Sequence, residues 1–82
     1  MTELTLLTRA GCHLCGEMKA VITPLRRTHG IILTEVDIST RPDLERRFGT
    51  EIPVLLRGTT VVARHRITKT QLHTLVTTGE GN

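Results

Sequence analysis

Two cysteines three positions apart, Cys12 and Cys15, are the residues of this chain best suited to chemistry. His13 and Leu14 stand between them. Such a pair can cycle between dithiol and disulfide, or it can hold a soft metal ion as thiolates. A bridge between residues so close closes a tiny loop, restricts the unfolded chain little, and so stabilises little. The pair is therefore read as chemical rather than structural. His13, when protonated, would favour a neighbouring thiolate; its plain alternative is a solvent-facing imidazole. Arg9, three residues before Cys12, is either a charge that stabilises the thiolate or an ordinary loop residue. Asp37 is either a proton acceptor for Cys15 or, in the commoner role of a strand-end acid, a turn cap. His29, His65 and His73 are too scattered to suggest a ligand set and read as surface residues.

The elements that must position this pair follow from the apolar spacing. Residues 3–8 (ELTLLT) are short, apolar and bounded by polar residues, which predicts a strand. From Cys12 the period changes. Leu14, Met18, Val21, Ile22 and Leu25 fall on one helical face. Arg26 and Arg27 suit the C-terminal end of that helix, and Gly30 suits a stop just beyond it. Pro24 should kink it, because it lacks a donor and crowds the carbonyl of Ala20. Residues 31–38 (IILTEVDI) are rich in β-branched side chains and predict a second strand. Strand, helix, strand over this length is a βαβ unit, which makes a parallel pair.

A short helix follows, with Thr40 as its cap, Pro42 in its first turn and Gly49 at its end. Residues 52–56 predict a third strand opened by Pro53. The turn Arg57-Gly58-Thr59-Thr60 leads to a fourth strand over 60–63. Thr68 can cap a last helix with Leu72, Leu75 and Val76 as its buried stripe. Residues 77–82 (TTGEGN) read as a frayed tail. The order β-α-β-α-β-β-α predicts a four-stranded mixed sheet with helices on both faces.

In this arrangement Cys12 opens the first helix and Cys15 lies one turn later on the same side. The unpaired N–H groups at the helix start carry a partial positive charge, which favours thiolate at Cys12. Cys12 is then the attacking sulfur, and Cys15, turned inward, resolves the mixed disulfide.

The chain has 82 residues, a single domain over 1–82, with a formal net charge of +3. One Phe and no Tyr or Trp leave no platform on which bases could stack, so nucleic acid is not expected as a partner. No stretch approaches the roughly 20 apolar residues of a membrane helix, and none resembles a signal peptide. A monomeric cytoplasmic protein is expected, in a compartment that keeps thiols reduced.

The sequence resembles the glutaredoxins of the thioredoxin superfamily, above all small glutaredoxin-like proteins of bacteria. The resemblance runs to about Val76 and rests on LTLLTRAGCHLC, EVDI, PDLERRFG, EIPVLL and the hairpin and helix that follow. It implies an α/β thioredoxin-like fold and a thiol-disulfide oxidoreductase with no cofactor beyond a reversible Cys12–Cys15 disulfide. It also implies that Arg9 matches the basic residue three before the first cysteine. Pro53, after Ile52, matches the cis-proline that faces the pair, with substrate docked beside the Ile52 backbone. The partner implied is a protein thiol or disulfide. The chain departs from the glutaredoxins at Val62-Ala63-Arg64-His65-Arg66, where those proteins carry a glycine pair and then an acid that help to hold glutathione. His13-Leu14 also replaces their usual Pro-Tyr. Glutathione is accordingly expected to bind weakly.

Other readings share the pair. Small heavy-metal carriers also place Cys-x-x-Cys between a first strand and a helix. They usually have Met where Ala10 stands, and they lack the second helix and the Ile52-Pro53-Val54 element. A cluster shared between two chains, or a partner-binding module without turnover, completes the alternatives.

Overall fold

The computed structural model describes residues 1–78. In chain order the elements are β1 (Thr2–Thr8), α1 (His13–Thr28), β2 (Ile31–Asp37), a 3-10 turn (Ile38–Thr40), α2 (Pro42–Phe48), β3 (Val54–Arg57), β4 (Thr60–Arg64) and α3 (Lys69–Thr78). The strands lie in the order β2-β1-β3-β4. β1 pairs parallel with β2 and antiparallel with β3, which pairs antiparallel with β4, so the sheet is mixed.

The two-residue period of β1 sorts the core into two layers. Leu4 and Leu6 point to one face, where they join Met18 and Ile22 of α1, Leu55 of β3, and Leu72 of α3. Leu7 points to the other face, against Ile38, Phe48 of α2 and Val54. Leu55 and Val54 repeat that division on β3. Thus α1 and α3 cover one face and α2 the other, as the element order requires.

Several local expectations need correction. β1 begins at Thr2, whose N–H donates to the Gly30 carbonyl at 2.9 Å, and β3 begins at Val54 rather than Ile52. α1 runs as one helix through Pro24, which lies on the exposed side, while Met18, Ile22 and Leu25 carry the apolar stripe past it. Thr40 does not cap α2. It ends the 3-10 turn, and Arg41 stands at the N-cap without a side-chain bond. The reason is Asp37, which accepts from Ser39 N–H at 2.9 Å and Ser39 Oγ at 2.7 Å and so starts a tighter turn just after β2.

Thr68 does cap α3. Its Oγ1 accepts from Gln71 N–H at 3.0 Å, and its own N–H donates to Gln71 Oε1 at 2.8 Å, a reciprocal capping box. Thr77 and Thr78 belong to α3 rather than to a tail; the rest of the expected tail, 79–82, lies outside the described residues. β4 carries an irregularity: Leu55 pairs with Ala63 and Leu56 with Val61, so Val62 is an extra residue on this edge strand.

Candidate redox site

Cys12 is the N-cap of α1, in extended backbone conformation just after the loop that leaves β1. Gly11 precedes it at φ +80°, a conformation that favours glycine. The Cys15 N–H donates to Cys12 Sγ at 3.1 Å. One of the first-turn donors that the helix cannot satisfy internally is thus directed at Cys12 Sγ. Cys12 is partly exposed and Cys15 is 5% exposed, a division that suits an attacking and a resolving sulfur. The two are joined as a disulfide, with Cα atoms 5.3 Å apart.

The loop and the ends of the parallel strands form a depression of about 610 Å³ around the pair. Arg9, Cys12, His13 and Cys15 all line it. Leu14, Ile52 and Pro53 do not. Leu14 is half-buried in the first turn of α1, Ile52 packs on the Phe48 layer, and Pro53 is buried. The Ile52–Pro53 peptide bond is cis.

The charges around the pair are engaged with one another. Arg9 pairs with Glu45 of α2 and reaches the Gly49 carbonyl at 3.5 Å. Its guanidinium therefore ties the loop to α2, and Glu45 compensates the charge it presents to Cys12. His13 is exposed, and its Nε2 lies 2.8 Å from Glu17 Oε2, one helical turn on. The other oxygen of Glu17 meets Arg66 Nη1 at 3.4 Å. Lys19 Nζ lies 2.8 Å from Glu35 Oε2 across α1 and β2. Asp37 also lines the depression. Its hydrogen bonds from Ser39, with a smaller contribution from the Arg9 charge, hold its carboxyl below the usual aspartate range. It is exposed and bonded to Ser39, which is the cap rather than the relay to Cys15.

On the far side of Pro53, the Arg64-His65-Arg66 loop departs from ordinary backbone. His65 sits at φ +66°, and Arg66 N–H donates to the Arg64 carbonyl at 2.6 Å, a tight three-residue turn. His65 N–H donates to the Pro53 carbonyl at 2.8 Å, which fastens the loop beside Ile52-Pro53. A non-glycine residue at positive φ persists only where the surroundings impose it.

Spacing along α1 exposes His13–Glu17 in the sequence, since residues four apart face each other. The partners Arg9–Glu45, Lys19–Glu35 and Arg66–Glu17 are far apart in the chain and carry no local signal. His29 and His73, taken as scattered, meet across α1 and α3 with Nε2 and Nδ1 3.0 Å apart. No group of three or more His, Cys, Asp or Glu side chains among the described residues could hold a metal ion. No helix among them is long and apolar enough to cross a membrane.

Solved structures share this architecture. Protein Ne2328 from Nitrosomonas europaea is 24% identical, with 88% of this chain and 87% of that one covered and a TM-score of 0.75. The structural genomics target XcR50 from X. campestris is 22% identical, covering 94% and 99%, with a TM-score of 0.72. The germline thioredoxin Deadhead of Drosophila melanogaster is 18% identical, covering 95% and 80%, with a TM-score of 0.64. These likenesses show the fold, a thioredoxin-like one. No curated protein matches. A Cys-x-x-Cys pair at this position of this fold supports a redox-type function. The model of the Glutaredoxin-like domain (DUF836) matches residues 3–77, and the chain belongs to that family.

Proposed function

We propose that the protein is a thiol-disulfide oxidoreductase that works through the Cys12–Cys15 dithiol. The observation that carries this reading is the Cys15 N–H directed at Cys12 Sγ at the start of α1. That donor and the helix terminus favour a thiolate at the more exposed sulfur. In the reducing direction the Cys12 thiolate attacks a substrate disulfide, forms a mixed disulfide and releases one substrate thiol. Cys15 then attacks Cys12, closes the intramolecular disulfide and releases the second thiol. Two electrons pass from the dithiol to the substrate, and an external dithiol restores the reduced pair.

Arg9 and His13 act from the rim, and Leu14, Ile52 and Pro53 shape the side on which substrate docks. The partner is a protein thiol or disulfide in a thiol-reducing compartment such as the cytoplasm. Glutathione is a poor partner. Arg64, His65 and Arg66 stand where a glutathione site needs a close backbone and an acid for the ammonium end. A missing charged hydrogen bond of about 1.5–3 kcal/mol corresponds to about one to two decades in affinity. Turnover of a small glutathione mixed disulfide should therefore fall tenfold or more below that of a glutaredoxin carrying those features.

Reduction of a protein disulfide such as that of insulin, driven by dithiothreitol, tests the main reading. The wild-type protein should accelerate it and Cys12→Ser should abolish the acceleration. Cys15→Ser should accumulate the mixed disulfide on Cys12. A Cys12→Ser variant as active as wild type would refute the assignment.

A further inference from the structure

Arg9 shares the depression with Cys12, but its counter-ion comes from α2, none of whose residues line that space. Glu45 pairs with the guanidinium, which also reaches the Gly49 carbonyl at 3.5 Å. Gly49 permits this contact through space rather than backbone freedom. Its φ of −55° and ψ of −32° are helical values that any residue adopts. A Cβ there would crowd the Glu45 carbonyl, and would stand 2.6 Å from Glu45 Oε1 and 3.4 Å from Arg9 Nη2. A side chain at 49 therefore pushes the carboxylate off the guanidinium. The other charges lining the depression are engaged from α1 and β2. His13 meets Glu17, which Arg66 also contacts, and Lys19 meets Glu35. Asp37 is held by Ser39 and lies within reach of the Arg9 charge. Arg9 is thus the lining charge whose strength at the site is set from outside it.

We propose that Glu45 is a positioning residue of the redox site: it holds the Arg9 guanidinium, offsets its charge, and so limits how far Arg9 favours the Cys12 thiolate. The inference rests on the redox reading above and adds a control on the same pair. Glu45 touches neither sulfur and acts only through Arg9. Gly49 serves the control by leaving room for the carboxylate. Without the Glu45 charge, the cation beside Cys12 is uncompensated, and a nearby positive charge favours the ionised thiol. A pair with both side chains more than a third exposed supports an effect of about two- to five-fold, not of decades.

The rate at which iodoacetamide modifies Cys12 in the reduced protein, followed across pH by peptide mapping, tests this. Glu45→Gln keeps an acceptor for Arg9 and removes the charge. On the acid limb of the profile it should raise the rate about two- to five-fold. At a pH where the thiol is fully ionised the rate should be unchanged, whereas a loosened loop that merely admitted more reagent would raise it at every pH. Glu45→Asp, which keeps the charge, should stay near wild type. Gly49→Ala removes no charge and should move the acid limb in the same direction as Glu45→Gln. In an Arg9→Gln background Glu45→Gln should lose most of its effect, because Glu45 itself does not line the depression. An acid limb unchanged in both Glu45→Gln and Gly49→Ala overturns the inference. So does a gain at every pH, or one that persists in full without Arg9. Alkylation needs no turnover, so these outcomes leave the redox reading standing. Wild-type protein that fails to accelerate insulin reduction overturns that reading itself.

Discussion

At Cys12 two effects act in one direction: the helix terminus and the Cys15 N–H both favour negative sulfur, and partial exposure lets a substrate reach it. Cys15, at 5% exposure, has neither access nor the cap. Iodoacetamide should therefore modify Cys12 first in the reduced protein, and at a pH where an ordinary cysteine is still mostly thiol; peptide mapping of the modified sites across pH checks this. Preferential modification of Cys15 near neutral pH would reverse the roles. Asp37 gives a second residue-scale expectation. Its hydrogen bonds from Ser39 lower its pKa in the folded chain below the ordinary value of 3.8. The stabilisation they supply is present above that value and is lost as pH falls through the lower folded value. The difference in unfolding temperature between wild type and Asp37→Asn should thus shrink as pH is taken from about 6 to about 3. Of the residues around the site, the cysteines were legible from type and spacing alone. The partner of Arg9 was not, because Glu45 lies 36 residues further along the chain. A pair still more than a third exposed, as this one is, should matter little to stability, so Glu45→Gln should cost about 1 kcal/mol or less in a denaturant titration.

Elements were legible where one signal dominated. α1 follows from its apolar stripe, its cap and its basic last turn, and the tertiary anchors Met18, Ile22 and Leu25 keep it whole across Pro24. The strands follow from β-branched and alternating runs. What failed was the junction after β2, where Thr40 looked like the obvious cap. Asp37, three residues earlier, captured Ser39 and wound a 3-10 turn instead, a competition between two short polar side chains that spacing does not resolve. The end of α3 was also misread, because two threonines look like turn residues when the packing of Leu72, Leu75 and Val76 is out of sight. The capping box at the start of α3 makes its own prediction. Thr68→Ala removes the acceptor for Gln71 N–H and should cost about 1 kcal/mol of stability. Leu72→Ala, at a position with no exposure in the layer between α3 and the sheet, should cost about 2–5 kcal/mol. Chemical denaturation of the two variants should rank them in that order.

Across the whole molecule the sheet does the positioning. β1 is central, flanked by β2 in parallel and β3 antiparallel, and the loop that leaves its C-terminal end delivers Cys12 to the start of α1. The same edge of the sheet brings in Asp37 from β2, and the turn before β3 brings Ile52-Pro53 with the His65 loop fastened behind it. The layer arrangement was readable from element order, since few topologies accommodate β-α-β-α-β-β-α with both sheet faces apolar. Apart from His13–Glu17 within α1, which charges would meet around the pair was not readable, because the other contacts join different elements. The account stands on the pair acting as a reversible two-electron couple. Equilibrating the protein in graded mixtures of a dithiol and its disulfide, then alkylating and weighing it, tests that most directly. The account predicts a single transition between chains with both thiols free and chains with neither, about 30 mV for each tenfold change in their ratio. Thiols that stay free throughout the series, or a pair occupied by one metal ion per chain, would contradict it.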